Sequence, residues 1–313
     1  MSQDTLDPEI AEARRKQAAS AQPVDFTKLP PAEGRAIANA AALFFNDGGP
    51  ALASVDELVV SGAAGDIRAR MYRPSQNRVG AVLFLHGGGW FHCNVDTHDR
   101  LMRVLAHDSG LAVLGIDYRL APEHPHPAGL NDAISAWRWL QKNAARLNLD
   151  SGKLGIAGDS AGANIALAMT LGERDTGQAL PRALALFYGC YAPDFETDSH
   201  RWNGDGRYGL TTARMRWYWE NYAGKDLASV ATLAAPLRAN FMQLPPIYLA
   251  LADLDPLADD TRMLAAGLKA AGVPYVLKEW PRAGHGFMQM TRDVELARKA
   301  VADAARFLSD NVG

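Results

Sequence analysis

Five consecutive residues, Gly158-Asp159-Ser160-Ala161-Gly162, lie between an apolar run at 154–157 and a small-residue run at 163–169. The first run reads as a buried strand and the second as a helix, so the five form the turn between them, in the G-x-S-x-G pattern of a nucleophile elbow. Such a turn is tight enough that the positions two before and two after the serine have no room for a side chain, and both are glycine. Ser160 then stands exposed where a strand ends and a helix begins, and backbone N–H groups there can stabilise a developing oxyanion. Taken alone, the pattern also describes an ordinary serine in a glycine-rich turn, so its chemistry depends on what accompanies it.

Upstream, a strand ending at Leu85 runs into His86-Gly87-Gly88-Gly89-Trp90. Consecutive glycines let a loop fold tightly and bring bare N–H groups against a ligand oxygen. Gly88, Gly89 and the amide of Ala161 are the expected oxyanion donors, with Gly87 their neighbour, and His86 holds the loop rather than acting as a base. Near the end of the chain, Gly284-His285-Gly286 follows the last strand, and the flanking glycines allow the imidazole to reach inward, so His285 is the expected general base. Of the other histidines, His92 is the rival, because it lies close to the oxyanion loop. Between nucleophile and base, the strand at 247–251 exits into Asp253-Leu254-Asp255-Pro256. Asp255 precedes a helix and can face His285, fixing its tautomer; Asp253 competes on spacing alone. Asp259 and Asp260 fit as favourable charges in a first helical turn.

The positions of these residues require a sheet. Unbroken apolar strands are expected at 81–85, 111–116, 153–157, 183–187, 247–251 and 275–279, alternating with helices at about 97–109, 130–147, 163–173, 256–271 and 293–309, which describes a mostly parallel, doubly wound sheet. Two further strands at 55–60 and 66–72 flank a small-residue turn and read as an antiparallel edge hairpin, for a total of eight. Residues 66–72 alternate polar and apolar, so one face is expected to meet water. The interval 188–242 interrupts the alternation with an aromatic helix at 211–222, an insertion expected to build a lid or one wall of a pocket. Helical patterns at 8–21 and 32–45, bounded by Pro23 and by Pro30-Pro31, read as an N-terminal appendage whose apolar face, including Ile37, Leu43, Phe44 and Phe45, covers Trp217 and Trp219. The expected domains are therefore an N-terminal helical cap segment at 1–50 and a catalytic domain at 51–313 with a cap insertion at about 190–235.

With 313 residues, 48% of them hydrophobic, the chain can bury one large core. A net charge of −3 with 32 scattered Lys and Arg provides no basic field for nucleic acid or anionic membrane. A small-molecule partner is expected. Two cysteines, Cys93 and Cys190, have no metal-ligand spacing and suit a reducing compartment. Residues 1–17 contain no apolar signal core, and no apolar run approaches the ~18 residues of a membrane span. The expectation is a soluble cytoplasmic protein with no metal and no cofactor. Oligomeric state is left open, a homodimer included.

The order Ser160, Asp255, His285 is the one α/β-hydrolases use. Four blocks carry a closer resemblance: HGGGW at 86–90, DYRLAPEHPHPA at 117–128, GDSAGANIA at 158–166, and DLDPLADD with GHGF further on. Together they resemble the hormone-sensitive-lipase family of α/β-hydrolases, the bacterial and archaeal carboxylesterases with a GDSAG serine motif. The resemblance implies an α/β-hydrolase fold with an eight-stranded sheet and a helical cap, Asp255 over Asp253 as triad acid, the HGGG loop as oxyanion hole, and cis peptides at Ala121-Pro122 or His126-Pro127. It also implies carboxylesterase chemistry through an acyl-enzyme on Ser160, and short acyl chains, about two to six carbons, are expected because Trp90 stands beside the oxyanion loop and no broad apolar membrane-docking segment is present. Trp90, where phenylalanine often follows the glycines, is expected to narrow the pocket, and Trp217 of the aromatic helix to touch substrate. Residues 117–128 read as a rigid surface turn with Arg119 and Glu123 available for ion pairs. Two other activities are carried beside the esterase: an amidase or arylformamidase with the same triad, since an HGG-W loop also occurs in arylformamidases, and a ligand-binding module like the plant gibberellin receptors, against which the retained His285 argues.

Overall fold

A computed structural model describes residues 5–20 and 24–313. The expected end of the first helix at residue 21, the breaker Pro23 and the segment 1–4 lie outside the described residues.

Eight strands form one sheet: β1 (Ser54–Gly62), β2 (Gly65–Arg73), β3 (Val79–Leu85), β4 (Ala112–Ile116), β5 (Leu149–Asp159), β6 (Leu184–Phe187), β7 (Ile247–Leu254) and β8 (Tyr275–Gly284). Their spatial order is β1-β2-β4-β3-β5-β6-β7-β8. The pairs β1–β2 and β2–β4 are antiparallel and all others are parallel. In β2 the alternation has its expected meaning, since Ile67, Ala69 and Met71 are buried while Asp66 and Arg68 face water. The central strands are buried on both faces. In β3, Val82 and Phe84 point to one side and Leu83 and Leu85 to the other.

Helices cover both faces. On the Val82 side lie α3 (Asp99–Ser109) and α9 (Glu295–Val312); on the Leu83 side lie α4 (Ala128–Asn143), α5 (Ala161–Asp175) and α8 (Ala258–Ala270), as their buried residues show. The helix after the elbow, α5, is buried along nearly its whole length, which its run of small residues permits. Gly110, with φ of 69°, closes α3 in the left-handed conformation that glycine adopts without strain.

The insertion between β6 and β7 carries two helices. The short α6 (Asp198–Asn203) has no counterpart in the hydrophobic periodicity, whereas α7 (Thr212–Ala223) is the expected aromatic helix. Each is capped by a threonine side chain, Thr197 and Thr211, accepting from a first-turn N–H. Ahead of the sheet stand α1 (Pro8–Ala19) and α2 (Pro31–Ala42). Their packing differs from the expectation. It is Phe26 that meets Trp217 edge-on at 6.2 Å, while Leu43 is exposed and Phe44 and Phe45 pack on the α3 side of the sheet. Ile10 and Ala13 of α1 are buried in the same core cluster as Phe287 and Met288. The segment is tied to the end of β8: Asp7 N–H donates to Arg282 O at 2.9 Å, and Arg282 Nη2 donates to Leu6 O at 2.8 Å.

Residues 117–128 are less superficial than a surface turn. Tyr118 and Ala121 are buried, the Tyr118 hydroxyl donates to His86 O at 2.7 Å, and Ala121 N–H donates to Trp90 O at 2.8 Å. The turn is therefore the floor of the glycine loop. Arg119 pairs with Asp132 and Glu123 with Arg35, and both proline bonds, Ala121-Pro122 and His126-Pro127, are cis.

Candidate active site

The elbow sits where β5 passes into α5. Ser160 has φ of 53° and ψ of −118°, a strained conformation for a residue with a side chain. It is held there by its own N–H, which donates to Phe187 O at 2.8 Å. The flanking glycines are sterically required: a Cβ on Gly162 would lie 1.9 Å from Leu85 O, and one on Gly158 would lie 2.7 Å from the Gly162 backbone.

Three residues from three strand ends converge. Ser160 Oγ is 2.9 Å from His285 Nε2, and His285 Nδ1 is 2.7 Å from Asp255 Oδ2. Asp255 is fully buried, and its other oxygen, Oδ1, accepts from Leu257 N–H at 2.9 Å. With Nδ1–H donating to the carboxylate, Nε2 is left to accept the serine proton; this tautomer is assigned from the partners. Asp253 does not reach the imidazole, because its Oδ1 accepts from Ala283 N–H at 3.2 Å. Asp259 and Asp260 do more than charge a helix end. Asp259 accepts from Ser199 N–H at 2.8 Å and Asp260 from Tyr191 N–H at 2.6 Å, so both tether the insertion to α8. Burial pushes the Asp260 carboxyl up to about 8, against the backbone N–H groups of Tyr191 and Ala192 that favour its charged form.

Gly88 and Gly89 take positive φ values of 108° and 60°, and a Cβ would fall 2.1 Å from His92 O at the first and 2.4 Å from the Tyr218 ring at the second. Among the described residues, the amides of Gly88, Gly89 and Ala161 donate to no protein acceptor. Those three N–H groups are therefore available to a ligand oxygen beside Ser160. The Gly87 amide is not, since it donates to Asp159 Oδ1 at 2.8 Å. That same oxygen lies 3.1 Å from His98 Nε2, and Gln289 Nε2 donates to Oδ2 at 3.3 Å, so Asp159 fastens the glycine loop to the elbow. His86 is buried, stacks on Tyr118 at 4.3 Å, and is held at about 3 by burial, which suits an uncharged spacer. His92 is likewise held at about 3 and lies between Cys93 Sγ at 3.0 Å and Tyr218 Oη at 3.1 Å, with no bond to Ser160.

The cavity above Ser160 has a volume of about 840 Å³ and is walled by α1, α2, the glycine loop, α7 and the His285 loop. Trp90 and Trp217 stand elsewhere. The Trp90 indole is buried behind the loop, stacked on Tyr222 at 4.0 Å, and Trp217 packs against Phe91 at 4.8 Å. Positive φ at Trp90, 57°, turns its side chain away from the ligand space, and Tyr218 fills the position beside the glycines. Sequence reasoning also passed over Arg14, whose Nη2 donates to His285 O at 2.7 Å. It sits in a run of charged residues, but its spacing of four from Ile10 puts it on the buried face of α1, and that was the available signal.

The chain belongs to the alpha/beta hydrolase fold family, whose family model matches residues 82–289. It is 34% identical over 269 residues to an acetyl esterase of Salmonella typhi, covering 84% of this chain and 82% of that protein. Carboxylesterase NlhH of Mycobacterium tuberculosis is 36% identical over 240 residues, with 75% of each chain covered. Among solved structures, an esterase of Pyrobaculum calidifontis superposes with a TM-score of 0.90 at 32% identity, covering 98% of this chain and 100% of that one. An alpha/beta hydrolase from the metagenome of Lake Arreo gives a TM-score of 0.91 at 33% identity over 98% of both chains. Within the fold, the protein is a carboxylic ester hydrolase of the hormone-sensitive-lipase-like branch. Among the described residues no helix is long and apolar enough to cross a membrane.

Proposed function

We propose that Ser160, His285 and Asp255 are the catalytic triad of this esterase and that Gly88, Gly89 and Ala161 supply its oxyanion hole. The observation that carries the reading is the unbroken line from Ser160 Oγ through His285 to Asp255, at 2.9 and 2.7 Å, beside three uncommitted amides. His285 Nε2 takes the serine proton as Oγ attacks the ester carbonyl, and the amides hold the oxyanion. Collapse expels the alkoxide, which receives the proton from the imidazolium. Water, deprotonated by the same imidazole, then attacks the acyl-enzyme and releases the acid, restoring Ser160.

The substrate is read as an ester of a short acid, about two to six carbons long. Supporting this are the acetyl esterase relatives and Tyr218, which takes the place beside the oxyanion loop that Trp90 was expected to fill. A panel of aryl esters from acetate to palmitate, with an anilide and N-formylkynurenine included, is the test. The highest kcat/KM is expected at the short end, with the anilide and formylkynurenine far lower. Faster turnover of a long-chain emulsion, or of the formamide, would replace this reading. Cys93 and Cys190 are both free and buried, which suits the reducing cytoplasm as the compartment.

Residues 1–50 together with the insertion at about 190–235 are read as the cap. A chain beginning at Asp47 loses Phe26 from the Trp217 cluster, Arg14 from the His285 carbonyl, and Arg35, whose Nε donates to Phe91 O at 2.7 Å. Its kcat/KM is expected to fall by about 100-fold, since small displacements of catalytic groups have effects of that size. Because Ile10, Ala13 and Phe45 are buried, the melting temperature also drops, but unfolding stays cooperative. Undiminished activity on the truncated chain would place these helices outside the cap.

A further inference from the structure

The cavity contains two guanidinium groups that pair with no carboxylate among the described residues, and both come from the cap rather than from the sheet. Arg14 projects from α1 and Arg214 from α7, and both line the space above Ser160. Among the described residues neither forms an ion pair. Arg14 uses Nη2 on the His285 carbonyl and is pressed against Gly209 and Gly284, where a Cβ would come within 1.6 and 3.1 Å of the guanidinium. Its Nε is buried with no hydrogen-bond partner, and burial pulls the group below its ordinary pKa. Arg214 lies over the Phe26 ring, 4.9 Å from its centroid, a contact that leaves the edge of the guanidinium free.

The negative charges nearby are already engaged. Asp159, the acid on the cavity wall, is occupied by Gly87 N–H, His98 and Gln289. Asp255, the carboxylate whose field Arg14 feels, faces His285 and Leu257 N–H. With these carboxylates committed to partners of their own, the two guanidinium groups are what the cavity offers to an incoming anion. A buried cation without a counter-ion is costly, and an anion arriving with the ligand would remove that cost. A lone hydrogen bond to the His285 carbonyl could be made by any N–H donor, so it does not account for a guanidinium, still less for two.

We propose that the preferred substrate is an ester whose alcohol portion carries a carboxylate, an O-acyl hydroxy acid, recognised by Arg14 and Arg214. This rests on the triad reading above. The alcohol side is assigned because the imidazole must hand its proton to the leaving oxygen, so the leaving group lies on the side of His285, where Arg14 is anchored. The free edge of the Arg214 guanidinium can pair with a carboxylate through two parallel N–H donors, which fixes orientation, while Arg14, with Nη2 committed to His285 O, adds its charge. A cavity of about 840 Å³ is far larger than an acetyl group needs and leaves the remaining volume to the alcohol portion.

The experiment compares kcat/KM for O-acetyl lactate and O-acetyl lactamide, which differ in a carboxylate against a carboxamide, with p-nitrophenyl acetate as the neutral reference. Wild type is expected to favour the lactate by about 10-fold or more, a preference that shrinks as salt is added. Arg214→Met and Arg14→Met should each bring the lactate-to-lactamide ratio towards one, and Arg14→Lys should retain part of it. If Arg14→Met folds poorly, the Arg214→Met ratio and the salt dependence carry the test. Equal turnover of the two lactyl esters by wild type overturns the proposal. So does an equal fall on both substrates in the two Met variants, which would leave the arginines as supports for the loop and the lid. A carboxylate preference found only on the acyl side, with monomethyl succinate over its neutral amide, overturns it too. Inactivity on p-nitrophenyl acetate as well would instead sink the hydrolase reading beneath it.

Discussion

Replacing Ser160 with alanine is expected to abolish ester turnover, lowering kcat by roughly 10⁶-fold, the scale seen when the nucleophile of a serine protease is removed. The size follows from the geometry. Ser160 Oγ is the hydroxyl 2.9 Å from His285 Nε2, beside the uncommitted amides of the glycine loop, and no other serine shares that position. Alanine fits the elbow's backbone as serine does, so the melt should be unchanged or slightly raised by relief of polar crowding. A fluorophosphonate adds to one serine in the wild type, with the serine oxygen forming the P–O bond and fluoride leaving, and mass spectrometry of the digest identifies the peptide containing Ser160. Label on another peptide, or none on folded protein, removes Ser160 as nucleophile, as does substantial residual activity in the alanine variant.

How much of this was legible in the sequence depends on the range of the interactions involved. All eight strands were readable, the central ones because a strand buried on both faces leaves an unmistakable block such as Ala81-Val82-Leu83-Phe84-Leu85, and the edge hairpin from two β-rich runs around a small-residue turn. The ends were less readable. β8 runs on to Gly284, past the expected stop at 279, because Trp280 and Gly284 still pair with Ala252 and Leu254 of β7 across an irregularity in the register. Ser160, His285 and the glycine loop could be proposed because each is bracketed by glycines that a local turn demands. Asp255 was separable from Asp253 only through a family resemblance; spacing along one chain does not say which of two carboxylates turns towards an imidazole 30 residues away. The cap was the least legible part. Its contacts join residues far apart in sequence, Phe26 with Trp217 and Arg14 with His285, and side chains such as Trp90 are aimed by backbone φ, which no periodicity reports. Trp90 and Trp217, expected beside the substrate, lie outside the cavity lining for that reason.

The second large effect separates the two aspartates. Asp255→Asn is expected to lower kcat by about 10⁴-fold with little change in KM or in the melt. The surroundings determine how the new amide must lie. Leu257 N–H, buried and 2.9 Å from Oδ1, requires an acceptor, so the asparagine oxygen takes that place and its NH₂ is turned towards His285 Nδ1. A donor facing Nδ1 forces that nitrogen to be the acceptor and moves the ring proton to Nε2. The imidazole then presents N–H to Ser160 Oγ and cannot take its proton. Asp253→Asn has no such consequence. The Asp253 carboxylate accepts from Ala283 N–H at 3.2 Å, a bond that an amide oxygen makes equally well, and burial already raises its pKa, so losing the charge costs little. Its kcat is expected within about threefold of wild type, the range of a change that leaves the transition-state contacts in place. Steady-state kinetics on a short aryl ester, with a thermal melt of each variant, decide between them: a crippled Asp253→Asn beside an active Asp255→Asn would transfer the acid role from Asp255 to Asp253.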